Sequence, residues 1–246
     1  MINDRVKGLL MVHYFGQPQE IEKFQSFCNK HGLFLIEDNA HGYGGRYKGS
    51  KLGTFGDFGI SSPRKILKIH SGGVLWLKEN KLDNDISLIP YSPSIISYLN
   101  VFMDNNYPSL KVFFKKLLKN RPDYEDYKLF REDKINDYMI DFSSKRILRK
   151  VNLKRIIKHR QDIYNKWHIF ALKNNLTPVF SKIYPNANPW CFPAYVRNHK
   201  EAIKWFDWGW KNNEHIFSWP SLPEEVLQKN TKLMDRWEKL VCFGIK

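Results

Sequence analysis

The stretch that most constrains this fold is residues 8–38. Residues 8–14, GLLMVHY, form a continuous apolar run of strand length, and Phe15-Gly16 ends it. Gln17-Pro18 reads as a helix opening, with proline in the first turn where its missing N–H costs nothing. Ile21, Phe24, Phe27 and Cys28 then recur at helical spacing, Gly32 stops the helix, and residues 33–37 are a second buried strand. A strand–helix–strand unit of this kind is a right-handed parallel crossover. Ligands of such sheets lie beyond the carboxyl ends of the strands, so His13, Tyr14 and Asp38 are expected on one rim.

The chain beyond Asp38 turns irregular. Residues 39–58 contain Gly42, Gly44, Gly45, Gly49, Gly53 and Gly56, too many for a regular helix. Residues 58–62 suit a short strand and residues 72–78, GGVLWLK, a clearer one. Lys65 therefore falls on a tight connection between two strands.

Length and composition set the outer limits. The 246 residues suit one large domain or two small ones, and 42% hydrophobic content excludes a disordered chain. Cys28, Cys191 and Cys242 are an odd set at wide spacing, with neither a disulfide framework nor a metal pattern. No apolar run approaches the roughly 20 residues of a membrane span, and the start of the chain is not an apolar signal segment. The expectation is a cytoplasmic protein with no membrane partner. The net charge of +15 draws anions, or is simply a solvated basic surface. Its densest patch is residues 143–166, with nine Lys or Arg and one acid, Asp162. Without a helix-turn-helix, zinc or RNA-binding motif, nucleic acid is not an expected partner.

Downstream, an apolar helix is expected between Pro90 and Pro108, an amphipathic one over 110–118, and a linker over 121–141. Asn152 is placed to cap a helix running to about Asn174. Residues 190–197 and 215–219 read as strands, 201–210 as a helix, and 223–227 as a further helical piece. Trp205, Trp208 and Trp210 read as core or interface.

An acid at one strand end and a lysine after the next strand are what a pyridoxal phosphate (PLP) site needs, although the pair alone is not specific. The wording around it is specific. HYFGQP at 13–18, HGLFLIEDNAH at 31–41, GSKLGTFGDFG at 49–59, SPRK at 62–65 and SGGVLWL at 71–77 together resemble the DegT/StrS family of sugar aminotransferases, PLP enzymes of fold type I. Weaker echoes follow in SSKRIL at 143–148, HRQDIYNKW at 159–167, WCFPAYV at 190–196 and LVCF at 240–243.

The resemblance implies an α/β fold: part of a large, mainly parallel PLP-binding domain over 1–135, with a small C-terminal α+β domain over 136–246. It implies that Lys65 carries the cofactor as a Schiff base and shuttles the proton. Asp38 would pair with the pyridine nitrogen, and His41 would bond the phenolic oxygen where relatives usually hold glutamine. Ser62, with Ser61 as its rival, would hold the phosphate. The implied substrates are a nucleotide-linked keto-sugar and an amino donor, glutamate above all.

There are departures. Roughly a hundred residues of a typical member's domain plan precede the point where this likeness starts, including the Gly-Thr turn that grips the cofactor phosphate. The glutamate often found before the glycine pair is Ser71 here. The resemblance implies a homodimer, and the departures add the expectation of a complement with a separate N-terminal chain. The alternatives are a non-catalytic remnant serving as a binding module and, last, a basic anion-binding protein.

Overall fold

The computed structural model describes residues 3–79, 88–107, 110, 124, 138–219 and 231–245. Two compact units interleave along the chain. The first takes Met1–Asn106, Asn136–Gln161 and Ile183–Trp190; the second takes Tyr107–Ile135, Asp162–Lys182 and Cys191–Lys246. The chain thus returns to its first unit twice after residue 135.

The first unit is built on a four-stranded sheet in the order β1-β2-β5-β6, with β1 Gly8–Val12, β2 Phe34–Asp38, β5 Phe58–Ser61 and β6 Val74–Leu77. The crossover from β1 to β2 is parallel, as the sequence requires, in the register Gly8↔Phe34 to Val12↔Asp38. β5 joins β2 in parallel, and β6 returns antiparallel, pairing Ser61 with Val74. Both strand ends that carry polar residues, at His13 and Asp38, therefore lie on one edge.

Helix α1, Ile21–His31, buries Ile21 and Cys28 against Met11 and Leu35. It ends at Gly32, whose φ of 63° is left-handed and whose N–H closes onto the Cys28 carbonyl. The helix does not begin at Gln17-Pro18. Gln17 is buried, its Oε1 accepting from Tyr184 N at 3.0 Å, and Gln19 N donates to His13 Nδ1 at 3.1 Å. These contacts hold the segment extended until Ile21.

The glycine-rich stretch is not wholly irregular: β3 Arg46–Tyr47 and β4 Ser50–Lys51 form a small antiparallel ribbon. Further on come β7 Ile89–Pro90, helix α2 Ile95–Asn106 and β8 Tyr138–Met139, the last paired in parallel with β7. α3, Phe142–Lys150, starts at Asp141, whose side chain accepts from Ser144 N. α4, Leu153–Lys173, is capped by Asn152, which accepts from Arg155 N at 3.1 Å.

One face of the sheet packs on α1 and the glycine loop. The other carries Leu10, Phe34, Phe58, Ile60 and Leu75, each 41–57% exposed. Parallel sheets are normally covered on both faces, so this apolar face is the structural oddity of the unit.

The second unit is an antiparallel sheet in the order β11-β12-β10-β9, with β9 Thr177–Pro178, β10 Cys191–Tyr195, β11 Ile216–Ser218 and β12 Leu240–Gly244. Tyr164, Trp167 and Phe170 from the later turns of α4 meet Phe192 and Phe243 from the sheet. Trp205 and Trp208 of α5, His199–Asn212, close over Phe170. Asn198 caps α5 by accepting from Glu201 N, and α6, Thr231–Glu238, precedes β12. Cys191 and Cys242 are buried here as free thiols, like Cys28 in the first unit. The expected elements at 111–118 and 223–227, and most of the expected linker at 121–141, lie outside the described residues.

Candidate active site

The rim of the first unit is held by a buried carboxylate that the sequence reading passed over. Glu37 alternates with Leu35 on the packed face of β2 and is fully buried. His13 Nδ1 accepts from Gln19 N, so its other nitrogen carries the proton and donates to Glu37 Oε1 at 2.7 Å. Gly53 N, at 2.6 Å, also donates to Oε1, while Phe55 N and Gly56 N donate to Oε2 at 2.6 and 3.2 Å. Burial alone would raise the Glu37 pKa; the bonds from His13, Gly53 and Phe55 outweigh it and hold the carboxyl below its ordinary value. One charged side chain thus pins the glycine loop to the strand end.

Asn39 repeats the device one step along. Its Nδ2 faces Gly42 O, Leu52 O and Ser61 Oγ at 3.0–3.3 Å, and its backbone N donates to Ile60 O. Ser61 is thereby turned into the packed face. Asp38, between these two residues, alternates to the opposite side of β2. It is half-buried, and its Oδ1 accepts from Ala40 N at 2.8 Å, which fixes the carboxylate at the strand tip.

His41 and Lys65 converge on Trp190. The imidazole stacks on the indole, with ring centroids 4.7 Å apart and planes 23° apart, and Lys65 Nζ lies 5.0 Å from the Trp190 ring. His41 Nδ1 accepts from Phe15 N at 3.2 Å. Burial, aided by the Lys65 charge, lowers the His41 pKa to about 3. His41 is therefore a neutral imidazole whose proton is on Nε2.

The Trp190 wall was legible in the sequence only as a downstream echo. Its segment is clamped on several sides. Trp190 N donates to Phe15 O at 3.0 Å, and Asn188 Nδ2 to Tyr43 O at 2.6 Å. From α4, Arg160 gives Nε to Pro189 O and Nη2 to Trp190 O, both at 2.9 Å, and Gln161 reaches Ala187 O at 2.8 Å. Gly16, with φ of 81°, sits where these segments cross. A Cβ there would strike Asn188 O and would lie 2.6 Å from His41 O.

Lys65 closes a 3-10 turn, Pro63–Lys65, that starts at Ser62, whose side chain makes no capping bond there. The connection is then tied down at Ser71. Its Oγ donates to Asp141 Oδ2 at 2.8 Å, while His70 N donates to Ser144 Oγ at 3.0 Å. Burial would raise the Asp141 pKa, but bonds from Ser143, Ser144 and Ser71 bring it down to about 2. Ser71 thus anchors the end of the lysine-bearing turn to the start of α3. Of the five residues singled out from the sequence, the structure brings His41 and Lys65 together at Trp190, places Asp38 at the end of β2 and Ser62 at the head of the lysine turn, and turns Ser61 into the packed face.

Comparison with known proteins follows this geometry. Residues 1–93 match the DegT/DnrJ/EryC1/StrS aminotransferase family. A GDP-perosamine synthase of Vibrio cholerae is 45% identical over 56 residues, which is 23% of this chain and 15% of that one. Helicobacter pylori PseC, an aminotransferase involved in pseudaminic acid biosynthesis by its description, superimposes with a TM-score of 0.56 at 14% identity, covering 99% of this chain and 62% of that one. An E. coli GDP-4-keto-6-deoxy-D-mannose-3-dehydratase with bound hydrated PLP gives 0.59 at 14% identity, covering 99% and 64%. The chain thus spans less than two thirds of these proteins. Those likenesses establish the α/β architecture, and over residues 1–93 the chain is similar to the DegT/DnrJ/EryC1/StrS aminotransferase family, a PLP-dependent family.

Proposed function

We propose that the protein is a PLP-dependent sugar aminotransferase, or the larger part of one, moving an amino group from an amino acid to a nucleotide-linked keto-sugar. Glutamate is the donor we infer. The observation that carries this reading is the convergence of the Lys65 amine and the neutral His41 imidazole on Trp190, with Asp38 at the end of β2 three residues before His41.

The donor set fits the ring end of the cofactor. A carboxylate suits a protonated pyridine nitrogen, an imidazole N–H suits a phenolic oxygen, and a primary amine suits an aldehyde. The expected concern that His41 would introduce a charge where relatives carry an amide does not arise, because its depressed pKa keeps it neutral. When bound, PLP supplies electron withdrawal that makes the amino acid's α-proton removable. Lys65 Nζ would hold the cofactor and is the group that would carry the proton to and from the substrate α-carbon. Asp38 would keep the ring nitrogen protonated, His41 Nε2–H would donate to the phenolic oxygen, and the Ser62 hydroxyl would help hold the phosphate in preference to its rival Ser61, whose Oγ faces Asn39 Nδ2. Trp190 fixes the lysine and excludes water on one side.

The apolar sheet face supports an assembly partner, a second copy or a separate chain completing the fold. Among the described residues no helix is long and apolar enough to cross a membrane. We place the protein in the cytoplasm, with no nucleic-acid partner. A second reading, a non-catalytic module that uses the sheet face for binding, draws on the same exposed residues. A visible absorption titration separates the two: a band on adding PLP, lost in Lys65→Ala, supports the enzyme. A colourless protein overturns that reading and favours the module.

A further inference from the structure

A second feature of the first unit lies apart from Lys65, His41 and Trp190. A cavity of about 120 Å³ opens between the β3–β4 ribbon, β6 and the start of α4. Its floor is mainly apolar, with Leu52 and Trp76, and also carries the Ser61 hydroxyl, which accepts from Asn39 Nδ2 on the packed side of the sheet. Its rim carries three cations, Arg46, Lys51 and Lys154, together with Tyr43. Arg46 is oriented by donating Nη1 to Gly49 O at 2.6 Å, and Lys51 Nζ stands 5.1 Å over the Trp76 ring. Among the described residues none of the three pairs with a carboxylate, whereas nearby Lys48 is neutralised by Glu22 at 2.5 Å. Three like charges around one small cavity repel each other, and a bound anion relieves that repulsion. Lys154 also stands in the first turn of α4, where the helix dipole favours negative charge.

We propose that this cavity binds the phosphate or diphosphate group of a small ligand. Its volume suits one or two phosphate groups. Lys51, held over the Trp76 ring, and Lys154 and Arg46 supply the donors phosphate oxygens accept.

The test is calorimetric titration of the full chain at low salt with inorganic pyrophosphate and, separately, with UDP. The expected result is one site, weakened tenfold or more in Lys51→Gln/Lys154→Gln. The matched control Lys145→Gln/Lys158→Gln removes the same charge from exposed positions on α3 and α4 and should leave affinity within twofold. Lys65→Ala should also leave it unchanged, which keeps this proposal separate from the cofactor reading. Tighter binding of UDP than of pyrophosphate assigns the site to a nucleotide; equal binding assigns it to free diphosphate. No saturable binding at millimolar ligand, or equal losses in the two double variants, overturns the proposal, since attraction would then be only the net charge of +15.

Discussion

Glu37→Gln is the sharpest perturbation of the site's framework. The carboxylate accepts four bonds, two on each oxygen: His13 Nε2 and Gly53 N on Oε1, Phe55 N and Gly56 N on Oε2. Glutamine keeps one accepting oxygen and turns its NH₂ toward two donors. Two charge-assisted bonds are lost, each about 1.5–3 kcal/mol, and two N–H groups are left facing donors. The relief of burying a neutral amide instead of a charge offsets part of this. The net expectation is a loss of about 3 kcal/mol in unfolding free energy at pH 7, a large share of a typical domain's stability of roughly 5–15 kcal/mol. Urea unfolding measures the total. Hydrogen exchange shows where it falls: the Gly53, Phe55 and Gly56 amides should lose protection, while those of α1 should not until global unfolding. A change below about 1 kcal/mol with those three amides still protected would refute the pinning role.

Other predictions follow from the same contacts. His41 has a folded pKa near 3 against 6.5 when exposed, so its contribution is complete above pH 6.5 and is lost as pH falls toward 3; His41→Gln should flatten stability over that window in acid melts. Asp141, lowered from 3.8 to about 2, contributes above pH 3.8 and loses its share as pH falls toward 2, so Asp141→Asn should make the acid loss of stability between pH 3.8 and 2 less steep. Gly16→Ala should destabilise by several times as much as Gly32→Ala: both need left-handed backbone, about 1 kcal/mol for a single alanine, but only Gly16 also meets backbone oxygens, whereas nothing lies within 4 Å of Gly32. Replacing Leu10, Phe34 and Phe58 with threonine should reduce self-association of the isolated chain in sedimentation runs, with little cost in melting temperature, because these side chains are already 41–57% exposed.

The parts of the fold that follow local rules were readable in the residues. The parallel β1–β2 crossover, the stop at Gly32, the Asn152 cap and the placement of Lys65 between two strands each depend on a few adjacent side chains. What escaped were features set by distant partners. The delayed start of α1 depends on Gln17 meeting Tyr184. The Trp190 wall depends on Arg160 and on Phe15, which adopts a φ of 59° that a phenylalanine seldom does. Glu37 was visible in principle: a carboxylate in phase with Leu35 on a buried face, facing a glycine-rich loop, requires backbone donors. Nothing local separates Glu37 from Asp38 beside it; only the fold shows that Glu37 meets the Gly53, Phe55 and Gly56 amides.

The central claim is that the Lys65 amine is the group that captures the cofactor. The direct measurement is to incubate the chain with PLP, reduce with borohydride and map the modified peptide by mass spectrometry. The account predicts one phosphopyridoxyl group per chain, on Lys65, formed faster than on any other lysine and slowed in Asp38→Asn. Label scattered over the surface lysines, with Lys65 no more reactive than the rest, would contradict it.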